Sequence, residues 1–485
     1  MNTSQPELES KLTNAQRREE IRNVLAMSIP IVITTCSRLV MDLADFTMIT
    51  HLDKVNDLNG AAQGAIMSAQ LIMWTFIVLG LGTISIVNTF VSQSLGRGRN
   101  AETSAYAWQG IYMGFAYSAL CLGLYGVFPI VINWIGHSER IAELELIYCN
   151  VMILSIAPTI AGEALASFFN GIHRPKVTMW SAIEANILNI AVSWILMFGL
   201  APIPALGFAG TPALGFAGAA WGTVVGVSYR FVRLLLVFLA HKNNATYSSR
   251  TTRRIDGEKM RSIIRVGVPQ GFQWISEVVV WMLFVNVLIG RMFEDADLIA
   301  SSVAWQFMRI SFMPAIGVGI ALSSLVGKAV GQGNPKLAMR YAKFAVLILV
   351  VYMGTLSIIY LQFRRELVGW FNDDPQVIDI AARIMICAVI FQVSDALGIT
   401  YNSALRGAGD TFWPAMLYVI SHWVIVIGGG WAIATLKPEW GSIGPWSAAT
   451  FLLLFLSAAL WWRWSSGAWQ KINIFAKENE SAHEH

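Results

Sequence analysis

The chain has 485 residues, of which 55% are hydrophobic and only 13% are charged. Soluble globular proteins carry about 25% charged residues, so this composition excludes an ordinary soluble protein and indicates a polytopic membrane protein. The formal net charge of +4 gives no reason to expect a nucleic-acid partner. The four cysteines lie far apart within hydrophobic runs, which excludes a disulfide framework or a CxxC-type metal site at the level of the sequence.

Twelve hydrophobic runs are long enough to cross a membrane as helices, since a helix rises about 1.5 Å per residue and the hydrocarbon core is about 30 Å thick. We therefore predict an all-α polytopic membrane protein with twelve transmembrane helices. An even number of spans puts both termini on one side of the membrane. In chain order the predicted spans lie near residues 24–50, 62–92, 104–133, 141–169, 178–200, 215–240, 264–290, 297–327, 339–361, 378–403, 412–436 and 443–464.

The basic residues are distributed unequally between the two sides of these spans. Of the 34 Lys and Arg residues, 25 lie on the side of the termini and seven on the opposite side; the remaining two, Arg38 and Arg309, lie within spans. Because loops rich in Lys and Arg stay in the cytoplasm, we predict that both termini are cytoplasmic. The expected location is the cell (inner) membrane, crossed many times.

The longest connection on the side of the termini follows span six and divides the chain into two six-span halves. It covers residues 241–263 and separates a predicted N-lobe (24–240) from a predicted C-lobe (264–465). A polar N-terminal segment (1–23) and a tail (466–485) lie outside the two lobes.

The two halves resemble each other in sequence. The segments VSQSLGRGRNAETSAYA (91–107) and VGKAVGQGNPKLAMRYA (326–342) match at a constant offset of 235 residues. Further along, GIHRPK at Gly171 and GAGDTF at Gly407 both follow the fourth span of their half, at an offset of 236. Repeats of six spans have the same orientation in the membrane, an arrangement that suits alternating access to a central cavity.

Two carboxylates lie deep within predicted spans without a basic neighbour. Glu277 is the one charged residue of VGVPQGFQWISEVVVWMLFVNVLIG (266–290), and Asp395 lies near mid-membrane in span ten. An ionised side chain at this depth costs several kcal/mol, so such a carboxylate either binds a proton or joins other oxygens around a hard cation such as Na⁺. We therefore predict that Glu277 and Asp395 bind the coupling ion of a transporter, H⁺ or Na⁺.

Three ionisable residues of span one share a helix face, because Arg38, Asp42 and Asp45 are spaced i, i+4 and i+7. This spacing favours a structural ion pair between Arg38 and Asp42. Glu184 lies near the Lys176 end of span five, which favours snorkelling or a pair near the membrane interface over a binding site.

The remaining deep charges allow more than one interpretation. Arg309 of span eight is either a counter-charge to the carboxylates of the C-lobe or part of a substrate cavity, and the role of Glu163 stays open. The residues that we expect to line a substrate cavity are Asp42, Arg38, Asn189, Arg309 and Gln392.

Motifs of ATP hydrolysis and of common hydrolases are not found in the sequence. The segment LVGKAVG contains Gly-Lys but lacks the earlier Walker glycine and the following Ser or Thr. Neither HExxH nor GxSxG occurs. We therefore expect a protein that is not an enzyme and whose transport depends on an ion gradient.

Four segments carry a resemblance to a known family. LADFTMI in span one, the LVGKAVGQGN turn, GVPQGFQWISE at span seven and FQVSDALGITYNSALRGAGDT in span ten resemble the multidrug and toxic compound extrusion (MATE) family. The resemblance extends in order over residues 20–465. It implies two six-helix bundles around a V-shaped cavity, and a monomeric antiporter in the lipid bilayer that exports cationic or amphipathic drugs against Na⁺ or H⁺. It implies no cofactor other than this coupling ion.

Within the family the chain is most similar to the NorM type. In that type a Glu of span seven and an Asp of span ten form a cation site in the C-lobe, and these correspond to Glu277 and Asp395. The span-one Asp of the family corresponds to Asp45, which is therefore a third expected ion-binding residue. Two departures concern the ion: Phe391 replaces a NorM-type Tyr, and Ser193 replaces the span-five Asp of the DinF type.

Two other functions stay open, although the number of spans and the acidic cavity residues argue against the first. A lipid-linked precursor flippase of the same superfamily would be expected to have extra spans and a strongly cationic cavity. A membrane sensor without transport activity would be expected to have a sizeable soluble domain, and the segments between spans are short.

Arg38 and Asp42 are a further departure from the family pattern, because we expect uncharged residues at these positions in the family.

Overall fold

The computed structural model describes residues 14–55, 61–123, 125–199 and 213–475. Twelve helices in these ranges are long and apolar enough to cross a membrane, which confirms the twelve predicted spans. The tandem sequence PALGFAG, at 204–210 and 212–218, lies mostly outside the described residues. The helices are α1 (Asn14–Lys54), α2 (Ala61–Gly96), α3 (Asn100–Ile135), α4 (Glu139–Gly171), α5 (Pro175–Phe198), α6 (Phe216–Leu239), α7 (Gly257–Met292), α8 (Asp295–Gly331), α9 (Pro335–Gly369), α10 (Pro375–Ala408), α11 (Phe412–Leu436) and α12 (Ile443–Ser465).

Polar caps and prolines determine where several helices begin. The side chain of Asn334 accepts a hydrogen bond from the backbone N–H of Leu337, and Pro335 is the first residue of α9. Asp374 and Pro375 begin α10 in the same way. Proline suits this position because its φ angle is already helical and no N–H is needed there, while the polar side chain satisfies one of the free N–H groups of the first turn.

Two helices of the second half contain a π-helical turn. It covers Phe284–Ile289 in α7 and His422–Gly429 in α11. A π-helical turn inserts an extra residue into the helical repeat, and such turns are frequent at functional sites. The π-helical turn of α7 begins seven residues after Glu277.

The helices pack into two bundles with a seam between them. In the N-lobe (α1–α6), α3 packs on α4 and α5 packs on α6. In the C-lobe (α7–α12), α10 is central and packs against α8, α9 and α12. The seam between the lobes is formed by α1 against α8 and by α2 against α7 and α8.

Hydrogen bonds join the lobes on the side of the membrane where both termini lie, which we call the terminal side. The Ser324 hydroxyl of α8 donates to Oδ1 of Asn88 in α2 at 2.8 Å. One turn further along α2, Nε2 of Gln93 donates to the carbonyl oxygen of Gly407 at the end of α10, at 3.0 Å. These buried polar contacts hold the lobes together at this end.

Segments outside the membrane add two further connections between the lobes. The connection from α6 to α7 contains a short helix, His241–Tyr247, and Nε1 of Trp108 in α3 donates to the carbonyl oxygen of Ser249 at 2.7 Å. The tail leaves α12 and returns to the N-lobe, where Phe475 is only 2% exposed. Its ring packs edge-on against Phe90 of α2, with ring centroids 5.7 Å apart.

Candidate functional site

Helices α7 and α10 place the two predicted carboxylates of the C-lobe close enough for electrostatic interaction. Glu277 and Asp395 are both partly exposed, and each interacts with the other's charge. Gln273 lies one helical turn before Glu277, and its Nε2 donates to Oε1 of Glu277 at 3.0 Å. No Lys or Arg pairs with either carboxylate within the part of the chain that the structure describes. The assignment of Glu277 and Asp395 to one ion site stays a prediction.

Helix α11 adds a phenol and an imidazole that the sequence analysis did not assign to the site. The Tyr418 side chain lies within electrostatic reach of both Glu277 and Asp395. The His422 ring stacks on the Tyr418 ring at 5.5 Å, and its Nδ1 lies 2.8 Å from the Tyr418 carbonyl oxygen. Phe391, at the position where the resemblance leads us to expect a Tyr, is buried in the apolar core.

The chemistry of this group fits a proton or a small hard cation. Over the described ranges, no group of three or more His, Cys, Asp or Glu side chains is arranged to hold a metal ion. Hard cations also accept neutral oxygen ligands, and the Tyr418 phenol supplies such an oxygen near the two carboxylates.

Asp45 is the most enclosed of the predicted carboxylates. It is 7% exposed, and its Oδ1 is buried without a hydrogen-bond partner among the described residues. The nearby charge of Asp42, three residues earlier, is of the same sign. Buried polar atoms nearly always have a hydrogen-bond partner, so a proton or a cation bound to this oxygen would satisfy it.

The predicted ion pair between Arg38 and Asp42 is wrong. Asp42 instead pairs across the seam with Arg309 of α8, with Nη2 and Oδ2 3.5 Å apart. The Arg38 guanidinium lies over the ring of Trp74 in α2, 4.8 Å from the ring centroid, which is a cation–π contact. The i, i+4 spacing places both residues on a common face, but each side chain contacts a residue of a neighbouring helix.

Glu184 forms the interfacial ion pair that the sequence predicts. Its Oε2 accepts a hydrogen bond from Nε of Arg233 at 3.1 Å. The Tyr229 hydroxyl donates to the same oxygen at 2.9 Å. Both partners lie on the terminal-side half of α6, so Glu184 has a structural role in the α5–α6 contact.

Glu163 of α4 lies among three arginines from three other helices. It interacts electrostatically with Arg230 of α6, Arg406 of α10 and Arg38 of α1. The sequence pattern places Arg230 and Arg406 at helix ends, whereas the structure turns them toward Glu163 in the terminal-side half of the protein. Three positive charges around one carboxylate leave this region, the arginine cluster, with a net positive charge.

Asn189 and Gln392, expected to line the substrate cavity, are both buried. Asn189 is 1% exposed, and its Nδ2 donates to the Thr223 hydroxyl at 3.3 Å within the α5–α6 contact. Gln392 is 3% exposed, and its Nε2 has no hydrogen-bond partner among the described residues. In this conformation neither side chain faces an open cavity.

Comparisons with known proteins agree on the family and the fold. The family model described as MatE matches residues 30–195 and 272–431, one segment in each lobe. A protein named "Probable multidrug resistance protein NorM" from Bacillus subtilis is 25% identical over 442 residues, which is 88% of this chain and 92% of the relative. A protein of the same name from Rhodopseudomonas palustris is 26% identical over 460 residues, covering 92% of each chain.

Solved structures share the fold at low sequence identity. The eukaryotic MATE transporter AtDTX14 superposes with a TM-score of 0.80 at 18% identity, over 94% of this chain and 97% of the transporter. A MOP superfamily transporter from Pyrococcus furiosus, described as having a binding pocket of reverse polarity, also has a TM-score of 0.80 at 18% identity. It is covered over its whole length and covers 95% of this chain.

Proposed function

The protein belongs to the MatE family, and we propose that it exports small organic cations from the cytoplasm by antiport with H⁺ or Na⁺. It is a multi-pass membrane protein and a transporter, not an enzyme. The name of its relatives, probable multidrug resistance protein, supports the substrate class. The observation that carries the proposal is the pair of carboxylates Glu277 and Asp395, which interact with each other and have no basic partner in the described structure.

In the proposed mechanism, the charge of these carboxylates is the quantity that the coupling ion changes. When Glu277 and Asp395 are ionised, they attract a cationic drug, and the N–H donor of Gln273 stabilises the charged Glu277. A proton or Na⁺ arriving from outside neutralises the pair and removes that attraction, so that the drug is released. A neutral site is less costly to enclose in the membrane, which allows the lobes to return to the other conformation.

We propose from the excess of Lys and Arg on the terminal side that the termini are cytoplasmic, so the coupling ion moves toward the terminal side as the drug leaves. One positive charge moving inward gains about 2.3 kcal/mol per 100 mV, and a singly charged drug moving outward costs the same amount. An exchange of one ion for one such drug is therefore driven by the concentration gradient of the ion, and a tenfold ion gradient, about 1.4 kcal/mol, supports a tenfold drug gradient.

Efflux of a fluorescent cationic dye from cells tests the proposal. We expect Glu277→Gln and Asp395→Asn to reach the membrane at normal levels and to lose nearly all export, because neither residue can change charge. Asp379→Asn is the control, since it removes an exposed carboxylate, paired with Arg365, from the opposite end of α10. Imposing a Na⁺ gradient and then only a pH gradient identifies the ion. Wild-type export by both site variants would refute the proposal.

The arginine cluster favours a second candidate, the translocation of a lipid-linked phosphorylated precursor. Its net positive charge, from Arg38, Arg230 and Arg406 around Glu163, suits an anionic group better than a cation. Proteoliposomes containing a fluorescent lipid pyrophosphate distinguish the two functions. Lipid translocation without dye transport, lost in Arg230→Gln, would favour this second candidate over drug export.

A further inference from the structure

A cavity of about 690 Å³ lies between the lobes on the terminal side. In the N-lobe it is lined by the turn from α4 to α5, with His173, Arg174 and Lys176. In the C-lobe it is lined by the ends of α8 and α9, including Lys328. No Asp or Glu of the described chain is among its lining residues. We call this cavity the basic cleft.

The positive charges of the basic cleft are not neutralised by the described residues around them. Nη1 of Arg174 donates to the neutral amide oxygen of Asn243 at 2.6 Å. Neither of the two lysines of the cleft forms an ion pair in the described part of the chain. Glu20 of α1 lies nearby but is held by Arg340, with Nη2 and Oε1 2.8 Å apart. Three cations therefore share a cleft without a carboxylate partner.

The internal repeat of the chain provides a second cleft for comparison. At the offset of 235, Lys328 corresponds to Gln93; at the offset of 236, Arg174 corresponds to Asp410. Gln93 donates to a backbone carbonyl, as described above, and Asp410 accepts a hydrogen bond from Nε of Arg463 at 2.8 Å. At these two positions the second cleft thus has a neutral amide and a paired carboxylate where the basic cleft has two cations.

The second cleft is also filled by the protein's own tail. Phe475 packs against Tyr106, with ring centroids 5.9 Å apart, and Tyr106 corresponds to Tyr341 of the basic cleft at the offset of 235. The guanidinium of Arg97 lies 3.9 Å from the centre of the Phe475 ring. The same place in the fold is therefore occupied by an apolar segment in one half, and is open and cationic in the other half.

The backbone has a positive φ at the same position of both clefts, with glycine in the second cleft and histidine in the basic cleft. Gly409 of the second cleft has a φ of +93°, which glycine tolerates, whereas His173 has a φ of +60°. A residue with a Cβ is sterically disfavoured there. Burial, and then the charge of Lys328, lower the pKa of His173 to about 4, so its imidazole is neutral at pH 7 and leaves the three cations as the charge of the cleft.

We propose that the basic cleft binds an anionic phosphate group, supplied by an acidic phospholipid of the leaflet on the terminal side. Arg174, Lys176 and Lys328 provide the charge, and Met27 and Leu325 provide apolar wall for the glycerol and the first part of the acyl chains. Basic pockets between helix ends at this level of a membrane are suited to lipid head groups. Because both lobes line the cleft, a bound lipid stabilises their contact on the terminal side.

Lipid binding to the purified full-length protein tests this inference. Phosphatidylglycerol is titrated against the protein in detergent, with phosphatidylcholine and inorganic phosphate as separate arms, and the bound fraction is read by native mass spectrometry and the unfolding temperature. The variants are Lys328→Gln and Lys176→Gln. The control is Lys242→Gln, which removes an exposed charge from the same side outside the cleft.

We expect phosphatidylglycerol, and not phosphatidylcholine, to bind and stabilise the wild type and the control. Each cleft variant should bind about fivefold more weakly, corresponding to about 1 kcal/mol per basic residue. Lys328→Arg retains the charge and should bind like the wild type, which separates loss of charge from misfolding. Stabilisation by inorganic phosphate alone, lost in Lys328→Gln, would support the site with a soluble phosphate as its ligand. Equal phosphatidylglycerol binding by wild type and both cleft variants would overturn the proposal.

Discussion

Replacing Gly82 by alanine should open the seam between the lobes. A Cβ at Gly82 of α2 would lie 2.7 Å from the Cα of Gly271 in α7, and ordinary contact begins at 3.4 Å. The helices must therefore separate by about 0.7 Å, because the obstructing atom is backbone and cannot rotate away. Gly317 of α8 corresponds to Gly82 in the repeat, and a Cβ at Gly317 would lie 2.8 Å from the Cα of Val32 in the other half of the seam. Gly317→Ala should have the same effect.

The size of the effect follows from the cost of overpacking a tight contact, about 1–3 kcal/mol. This cost falls only on the conformation in which the lobes touch, so it shifts the population away from that conformation by about five- to 150-fold. Hydrogen–deuterium exchange of peptides containing Asn88 and Ser324 measures this population shift, and the amides of both peptides should exchange faster by the same factor. Gly354→Ala of α9 is the control, since a Cβ there meets nothing within 4 Å. Unchanged exchange in both seam variants would refute the reasoning.

Three further predictions concern separate parts of the protein. Asp256 caps α7; partial burial alone would raise its pKa, but hydrogen bonds from Lys259 lower it below the usual value. The ionised Asp256 therefore stabilises the folded state above about pH 4, and this stabilisation is lost as the pH falls through the lowered pKa. The unfolding temperature of Asp256→Asn should not show this pH dependence, and Asp256→Ala should lose about 1 kcal/mol of stability. Phe475→Ala should release the tail from the N-lobe, so that a protease cleaves the C-terminus faster than in the wild type. An unchanged cleavage rate would show that Phe475 does not anchor the tail. A double-mutant cycle of Asp42→Ala and Arg309→Ala should give a coupling below about 1 kcal/mol, because both side chains are partly exposed; a coupling several times larger would show that the pair is shielded from water.

The sequence predicts the number and order of the helices because hydrocarbon thickness imposes a minimum length on each apolar run. It predicts their ends less well. Helix α1 already includes residues 14–23 of the predicted polar segment, and α7 begins at Gly257, inside the predicted loop 241–263. Hydropathy predicts the part of a helix that contacts lipid. These helices extend beyond that part into water, where backbone hydrogen bonds and caps such as Asp256 stabilise them.

The candidate site is predictable only in part, for a related reason. Glu277 and Asp395 stand out because an unpaired charge deep in an apolar run has few structural explanations. Tyr418 does not stand out, since a tyrosine in a span carries no comparable cost. Arg309 and Asp42 are each visible in the sequence, but spacing along one helix does not show which neighbouring helix a long side chain reaches. Sequence spacing shows which residues of a helix share a face, as Arg38 and Asp42 do, but the packing of the helices decides which contacts form.

The repeat shows which features of this fold the two halves need in common. Gly82 and Gly317 correspond, and both allow helices of opposite lobes to touch at backbone distance. The charged residues of the basic cleft do not correspond in this way, since Lys328 stands opposite Gln93 and Arg174 opposite Asp410. In the proposed transport cycle the two bundles rock on the seam, and equivalent close contacts in both halves suit that motion. The proposed lipid site needs no counterpart in the other half, and the basic cleft accordingly lies where the charged residues of the two halves differ.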